Sequence, residues 1–326
     1  MRIESVPVKT IVRKSKISPF YWIAKSAVQF KNWLGQSVLV HGFSCNSDEA
    51  KAIHLSRMEI FERLFAHYDF VKKDILQWVD WPQKDFTGDI LPEEVLLGPM
   101  PSGPMNSKLD ASGLSWHKNV EEAEKHALLE IIERHLLCKW WYGDLKLKKM
   151  EETIELSDDL FIEFATVDLL KPIPFVIAVI SHRLNYTWLC GSSVRTSFQL
   201  AKEKAKNEAL MLLDGILCGD ETNLNPNKET SAILLSLRDP DASQKRRYYY
   251  EVNLSGQEYK GEPLPTVEMS VDEICKWTLG EEAEIKSVVI RDNEEGSLVR
   301  VLCSSALKVK EMRKIAKYDK LLDPFC

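Results

Sequence analysis

A five-residue pattern that occurs twice in the chain combines residue types able to hold metal ions and phosphate. Segments 59–63 (EIFER) and 130–134 (EIIER) both read E-x-x-E-R, each within a stretch predicted to be helical. Positions i, i+3 and i+4 of a helix share one face, so each copy sets two carboxylates beside one guanidinium. Four carboxylates brought together would repel one another unless they bound metal ions, and neighbouring arginines suit phosphate. The doubled pattern therefore predicts a metal–nucleotide site built from two helix faces.

The same pattern also has a purely structural interpretation. Glu and Arg four residues apart often pair on exposed helix faces, and the chain would then be a helix-rich domain with solvated salt bridges. The two interpretations predict different distances. Ions that bridge both helices need ligands within a few Å, whereas a separation of more than ~15 Å between Glu59 and Glu130 would favour the structural role.

The bulk composition is that of an ordinary globular protein and argues against several classes. The chain has 326 residues, 44% of them hydrophobic and 28% charged, enough for one large domain or two modest ones. A net charge of −6 argues against general nucleic-acid binding. The seven cysteines contain no C-x-x-C pair, which predicts free thiols in a reducing cytoplasm rather than a zinc site. We find no signal-peptide pattern and no stretch near the ~20 apolar residues of a membrane span.

Three predicted helices carry the candidate chemistry. Asn46-Ser47-Asp48 offers an N-cap for a first helix of about two dozen residues. The second runs from Glu121 to about Trp141, and its acidic first turn suits a helix N-terminus. A glycine-containing break at 191–193 precedes the third helix, at about 197–217.

The remaining segments predict strands, loops and one more helix. Five segments have strand-like patterns: 38–43, 173–180, 186–190, 284–291 and 298–303. Residues 80–110 and 218–245 are predicted as loops, and 309–320 as a basic helix. Because strands and helices mix without strict βαβ alternation, we expect an α+β fold with mixed, mostly antiparallel sheets and packed long helices. We expect a single catalytic domain over 1–326, with its motifs at about 50–305.

The surroundings of these motifs resemble those of the YcaO family. In that family a small-residue turn leads into E-E-A and then E-x-x-E-R, as residues 112–134 do here. The first E-x-x-E-R resembles the family's earlier motif helix. Residues 191–209 resemble its third segment, a glycine turn before an A-x-x-E-A helix, and 298–302 resemble its late arginine-bearing strand.

The resemblance implies an ATP site that lacks a glycine-rich phosphate loop. In the family, carboxylates of both motif helices hold Mg²⁺ on the ATP phosphates, as suits a hard cation that prefers oxygen ligands. The positions carried over as Mg²⁺ ligands are Glu59, Glu62, Glu122, Glu130 and Glu133. The positions carried over as ATP-binding residues are Ser115, Glu122, Arg63, Arg134 and Arg300. No general base is assigned.

The chain also departs from the family pattern. His117 and Lys118 stand where the family usually has Gly and Asn. Asn119 could take the Asn role through a one-residue shift, Lys118 could supply a phosphate-binding ammonium, or the site could be altered. His135 replaces a frequent Asp, and His126 could face the site, although a structural role is simpler. The proline-rich tail of many azoline-forming members is missing, which weakens the azoline assignment and leaves the ATP assignment untouched.

The reaction implied by the resemblance is ATP-dependent activation of a peptide backbone amide. A nucleophile adds to the carbonyl, the oxyanion attacks the γ-phosphate of ATP, and phosphate leaves with the former amide oxygen. A Cys, Ser or Thr side chain as nucleophile gives a thiazoline or oxazoline, sulfide gives a thioamide, and an amine gives an amidine. We expect a cyclodehydratase for a ribosomally made, bacteriocin-like peptide, with thioamide or amidine formation as alternatives.

The expected partners follow from the same resemblance. They are a precursor peptide and a protein that captures its leader, either an E1-like protein or a small recognition domain. A flavin-dependent dehydrogenase in the same complex and a homodimer are further expectations, whereas nucleic acid and membrane are not expected. A nucleotide-binding scaffold that has lost catalysis stays open as an alternative, because of His117, Lys118 and the short tail.

Overall fold

The computed structural model describes residues 6–99, 111–167, 173–183, 188–218, 239–259, 268–308 and 312. The chain divides into two compact units. The first unit comprises residues 1–13, 22–132 and 271–306, and the second comprises residues 14–21, 133–270 and 307–326. The single catalytic domain over 1–326 stays a prediction.

The elements alternate irregularly along the chain. The described strands are β1 (Lys9–Lys14), β2 (Trp22–Lys31), β3 (Ser37–Asn46), β4 (Leu76–Asp80), β5 (Thr87–Ile90), β6 (Leu114–His117), β7 (Leu147–Glu155), β8 (Leu160–Val167), β9 (Phe175–His182), β10 (Trp188–Val194), β11 (Leu254–Tyr259), β12 (Ile285–Asn293) and β13 (Gly296–Cys303). The described α-helices are α1 (Glu49–Phe65), α2 (Tyr68–Val71), α3 (Val120–Tyr142), α4 (Phe198–Cys218), α5 (Pro240–Val252) and α6 (Val271–Leu279). Helix α3 begins in the first unit and continues into the second from Glu133 onward.

Helix α1 packs on the three-stranded sheet β1-β2-β3 of the first unit. The side chain of Asp48 accepts the N–H of Lys51 and caps the helix, as the sequence predicts. The helix has 17 residues rather than about two dozen, because the extended backbone of His67 interrupts it before α2. Its buried face, which includes Ile60 and Phe65, belongs to the core of this unit.

The second sheet of the first unit has the order β5-β4-β12-β13-β6 and antiparallel pairing throughout. Its β4–β5 hairpin includes residues 80–90, which we predicted to be irregular. The indole of Trp78 packs on Phe86 at 5.0 Å between ring centroids, and a Cβ at Gly88 would lie 2.7 Å from that indole. Gly88 therefore makes room for a cross-strand aromatic contact instead of ending the strand.

The second unit is built on the sheet β10-β9-β8-β7-β11. Its pairings are antiparallel except that of β11 with β7, which is parallel. Strand β9 is buried along almost its whole length, and α4 packs on β9 and β10. Residues 191–193, which we predicted to break the chain, lie inside β10. The predicted basic helix at 309–320 lies outside the described residues, apart from Met312.

The observed architecture confirms the predicted α+β class, with mostly antiparallel sheets and long helices. Within the described ranges, none of the helices is long and apolar enough to cross a membrane.

Two glycines allow helices to approach strands very closely. A Cβ at Gly42 of β3 would lie 2.1 Å from the carbonyl oxygen of Ser56 in α1. A Cβ at Gly191 of β10 would lie 2.2 Å from the carbonyl oxygen of Ala205 in α4. Both obstacles are helix backbone, which cannot move aside as the end of a side chain can. Only glycine therefore permits these helices to sit where they do.

We expect Gly42→Ala and Gly191→Ala each to lower the free energy of unfolding by about 3 kcal/mol, because the added methyl groups overpack backbone. Gly215→Ala is the matched control. It lies in α4 with no atom within 4 Å of a built Cβ, and it should be neutral or stabilising by up to ~1 kcal/mol. Urea unfolding of the three variants checks this, and equal midpoints for all three would contradict it.

Candidate functional site

Three glutamates from two helices of the first unit form what we name the first carboxylate cluster: Glu59 and Glu62 of α1 and Glu130 of α3. Burial raises the pKa of Glu62 well above its usual value, and the charges of Glu130 and Glu59 raise it further. Because the charges of Glu59 on α1 and Glu130 on α3 both raise the pKa of Glu62, the two E-x-x-E-R helices lie close together in this unit. This favours the metal-site interpretation over two separate solvated faces.

Backbone amides hold the carboxylates of this cluster in place. Three N–H groups donate to them: Phe43 to Glu59 at 2.6 Å, Trp116 to Glu62 at 3.3 Å, and Gly113 to Glu130 at 3.3 Å. Such bonds favour the ionised form of a carboxyl group. For Glu62 the bond from Trp116 only partly offsets burial, since its pKa stays raised. The cluster thus holds three acidic groups close together. Their repulsion and the burial of Glu62 disfavour the ionised form of Glu62, and a bound cation would offset both effects.

Arg63 is the cation nearest in sequence to this cluster. Its guanidinium forms an ion pair with Glu59 and donates to the carbonyl oxygen of His41 at 3.0 Å. The pairing with Glu59 is the one expected for an i,i+4 salt bridge. Its assignment to ATP stays a prediction.

Ser115 and Arg300 lie on neighbouring strands of the five-stranded sheet in the first unit. Both are buried, and Arg300 is paired with Leu114, the residue before Ser115. Side chains alternate between the faces of a strand, so Arg300 shares a face with Leu114, and Ser115 points to the other face. Leu114 belongs to the core cluster that includes the apolar face of α1, which places Arg300 on the α1 side of the sheet.

A second carboxylate cluster lies in the second unit and consists of Glu133 of α3 and Glu208 of α4. Ser192 of β10 bridges them. Its hydroxyl donates to Glu133 at 2.8 Å, and its backbone N–H donates to Glu208 at 3.1 Å. Burial raises the pKa of Glu133 and the charge of Glu208 adds to this, whereas Arg134 and Arg195 oppose it. Glu133 and Arg134 were predicted as site residues, while Glu208, Ser192 and Arg195 were not.

A regular spacing between glycines and glutamates in the sequence could have identified Glu208 as a site residue. Three glycines precede a glutamate by 17 positions: Gly42 and Glu59, Gly113 and Glu130, and Gly191 and Glu208. In each case the glutamate accepts an N–H from the glycine or from the residue after it. At each of these glycines a helix packs closely on the preceding segment. The glutamate, two or more turns into that helix, accepts a backbone N–H at or next to the glycine.

Glu122, predicted to bind both Mg²⁺ and ATP, lies beside two histidines. Potential ligand atoms of His117, Glu122 and His126 all lie within 4.8 Å of one another. The backbone N–H of Glu122 donates to the side chain of Asn119 at 2.9 Å, so Asn119 caps α3. Lys118 is exposed.

His135 has a structural contact in the second unit. Its Nδ1 accepts the backbone N–H of Leu307 at 3.1 Å. Burial, aided by the charge of Lys139, lowers the pKa of His135 to about 4, so the ring is neutral near pH 7. His135 therefore holds the segment after β13 in place through its hydrogen bond with Leu307.

Comparison with solved structures shows the same fold at low sequence identity. YcaO from Methanopyrus kandleri, bound with AMPPCP and Mg²⁺, has a TM-score of 0.63 and 13% identity, covering 94% of this chain and 88% of that chain. A chain of the E. coli microcin synthetase McbBCD complex has a TM-score of 0.63 and 14% identity, with 91% and 87% covered. A heterocyclase in complex with substrate and cofactor has a TM-score of 0.64 and 12% identity, with 91% and 49% covered.

Sequence comparison supplies the family. No curated protein shows a significant match to the chain. The family model described as YcaO cyclodehydratase, ATP- and Mg²⁺-binding, matches residues 35–260, which include both carboxylate clusters. The predicted cofactors, ATP and Mg²⁺, are those of this description. A match over more than half of the sequence, together with the shared fold, confirms the resemblance of the motifs: the chain belongs to the YcaO family.

Proposed function

We propose that this chain is an ATP-dependent enzyme that activates a peptide backbone amide by O-phosphorylation. Its reaction is the cyclodehydration of Cys, Ser or Thr residues to thiazoline or oxazoline in a ribosomally made peptide. The observation that carries the proposal is the first carboxylate cluster, in which three acidic side chains stay together although their charges oppose one another. Crowded carboxylates of this kind suit a bound hard cation.

The residues fit Mg²⁺ because all the side-chain ligands offered are carboxylate oxygens. In this proposal Glu59, Glu62 and Glu130 hold Mg²⁺ in the first unit, and Glu133 and Glu208 hold Mg²⁺ in the second. Bound Mg²⁺ supplies positive charge that neutralises the phosphates of ATP.

The arginines complete the electrostatics of the proposed site. Arg300, buried beside Leu114 in the first unit, is assigned to the negative charge of the transferring phosphoryl group. The assignment of Arg134, in the second unit, to ATP stays a prediction. Arg63 offsets the charge of Glu59 through its ion pair. Glu122 keeps its assignment to the nucleotide as part of this proposal. Ser115 points to the face of the sheet away from Arg300 and α1, so its assignment to ATP stays a prediction.

The chemistry proceeds on the substrate peptide. A side-chain thiol or hydroxyl adds to the preceding carbonyl and loses its proton, and the resulting oxyanion attacks the γ-phosphate and displaces ADP. The amide nitrogen then loses its proton as phosphate departs, which forms the C=N bond of the azoline ring. Water is thereby removed from the peptide, and the amide oxygen leaves in the phosphate. The protein's part is to align the amide oxygen with the phosphate and to neutralise charge.

The proposal includes partner proteins. The similarity to a chain of a synthetase complex, and to a heterocyclase bound to its substrate, supports a precursor peptide and a second protein that captures it. A flavin-dependent dehydrogenase belongs to the same proposal as a third component. The structure shows no disulfide at five of the described cysteines, which favours a cytoplasmic location; these are Cys45, Cys138, Cys190, Cys275 and Cys303.

A nucleotide-binding scaffold without catalysis is the second candidate. It is favoured by one observation, the placement of Glu122 beside His117 and His126 in a segment where the family usually has Gly and Asn. The two candidates differ in turnover, since a scaffold would bind ATP without releasing phosphate.

We expect the metal-free chain to be destabilised by its own carboxylates. A carboxyl whose pKa is raised on folding stabilises the folded state most at low pH, and this stability is lost as the pH rises through the raised pKa. Glu62→Gln should therefore unfold about 2 °C above wild type near pH 8, with no difference below about pH 4. Added Mg²⁺ should raise the midpoint of wild type more than that of Glu62→Gln.

Thermal unfolding followed by circular dichroism measures these midpoints, with and without Mg²⁺. Glu49→Gln is the matched control, because Glu49 is an exposed carboxylate in the first turn of the same helix. Its loss should lower both midpoints slightly and leave the increase caused by Mg²⁺ unchanged. A Glu62→Gln variant that is less stable than wild type near pH 8, and equally stabilised by Mg²⁺, would contradict the Mg²⁺ site.

Nucleotide binding tests the same cluster directly. We expect wild type to bind AMPPCP in the presence of Mg²⁺, and Glu130→Gln to bind it at least ~10-fold more weakly, because the metal loses a charged ligand. Calorimetric titration measures both, with Glu49→Gln as control. Equal affinities of wild type and Glu130→Gln would speak against a metal ligand at this position.

A further inference from the structure

His117, Glu122 and His126 are brought together by two different elements of the first unit. His117 ends β6, where it pairs with Ser297 of β13. Glu122 and His126 are four residues apart on α3 and so share one of its faces. All three side chains are partly buried.

The positions of these side chains are set by the backbone around them. Asn119, two residues after His117, caps α3 and fixes the helix start at Val120. The rings of His117 and His126 stack with centroids 4.7 Å apart and an interplanar angle of 14°. Within the described part of the chain, the buried Nδ1 of His117 has no hydrogen-bond partner. A buried polar atom of this kind calls for a ligand that satisfies it.

The potential metal ligands here differ from those of the two carboxylate clusters, because two of the three are imidazole nitrogens. Two imidazoles and one carboxylate form the ligand set of catalytic zinc sites, in which a fourth position is left for water or substrate. Mg²⁺ prefers oxygen ligands and is not matched by this set. With Zn–N distances of about 2.0–2.1 Å, ligand atoms on one ion lie roughly 3.3 Å apart. The potential ligand atoms are already within 4.8 Å of one another. To bind one ion, the two rings must turn out of their stack, because the lone pairs of imidazole lie in the ring plane.

We infer that His117, Glu122 and His126 form a binding site for a divalent transition-metal ion of the Zn²⁺ class, with one coordination position open. The inference goes beyond the proposed function and does not rest on it. The two share Glu122, which the family resemblance assigns to Mg²⁺ and ATP. A Zn²⁺ ion at this site would withdraw Glu122 from that role.

The test is a titration of the metal-free full chain with Co²⁺, followed by visible absorption, and with Zn²⁺, followed by calorimetry, both without nucleotide. With Mg²⁺ added in excess to occupy the carboxylate clusters, we expect one Co²⁺ or Zn²⁺ ion to bind per chain, and Co²⁺ to show the absorption of a low-coordinate nitrogen and oxygen site. His126→Ala should weaken binding about 100-fold, since one of three protein ligands is lost. His117→Gly, which introduces the residue usual in the family, should do the same.

Two control variants match the ligands. Glu121→Gln changes the exposed carboxylate beside Glu122, which pairs with Lys125, and His54→Ala removes an exposed histidine of α1. Both should bind the metal as wild type does. Absence of binding to wild type, or equal binding by wild type, His126→Ala and His117→Gly, would overturn the inference. Because AMPPCP binding with Mg²⁺ is measured separately on wild type, a chain that binds nucleotide but no Zn²⁺ defeats the transition-metal site alone.

Discussion

The close approach of like charges on α1 and α3 is the constraint around which the first unit is organised. Burial and the charges of Glu130 and Glu59 raise the pKa of Glu62, yet backbone amides from three places in the chain hold the oxygens of all three carboxylates. The apolar face of α1, with Ile60, Phe65 and their neighbours, supplies the packing that opposes this repulsion. The Mg²⁺ ion that we propose for this cluster would relieve the repulsion.

The same local combination of a glycine and a later glutamate occurs in both units and positions their carboxylates. In both units a helix lies against a strand at a glycine, and a glutamate 17 positions further on reaches back to a backbone N–H. The close approach is essential, because a carboxylate on a helix at ordinary distance from the strand would not reach the amide. Gly42 and Gly191 therefore set how near Glu59 and Glu208 come to β3 and β10.

Part of the fold and of the candidate site was predictable from the sequence. The predictions that succeeded relied on local signals, and those that failed concerned contacts between distant segments. Helices α3 and α4 were predicted to within about one residue, and α1 at its start but too long at its end, because apolar periodicity and caps are local signals. The fold class followed from the mixture of strands and helices, and the family from the motifs. Gly191 was misread as a break because its use, close packing against α4, depends on a helix that comes later in the chain. The same holds for Ser192 and Glu208, whose roles exist only once β10 and α4 meet. The grouping of His117 with Glu122 and His126 required the geometry of the turn between β6 and α3, which spacing alone does not give.

The most direct test of the central claim follows the amide oxygen. A precursor peptide labelled with heavy oxygen at the reacting amide would be incubated with the enzyme, its partner proteins, ATP and Mg²⁺, and the released phosphate analysed by mass spectrometry. Activation by O-phosphorylation predicts that the label appears in phosphate while the peptide loses one water. Phosphate without label, or peptide that loses water without consuming ATP, would contradict the account.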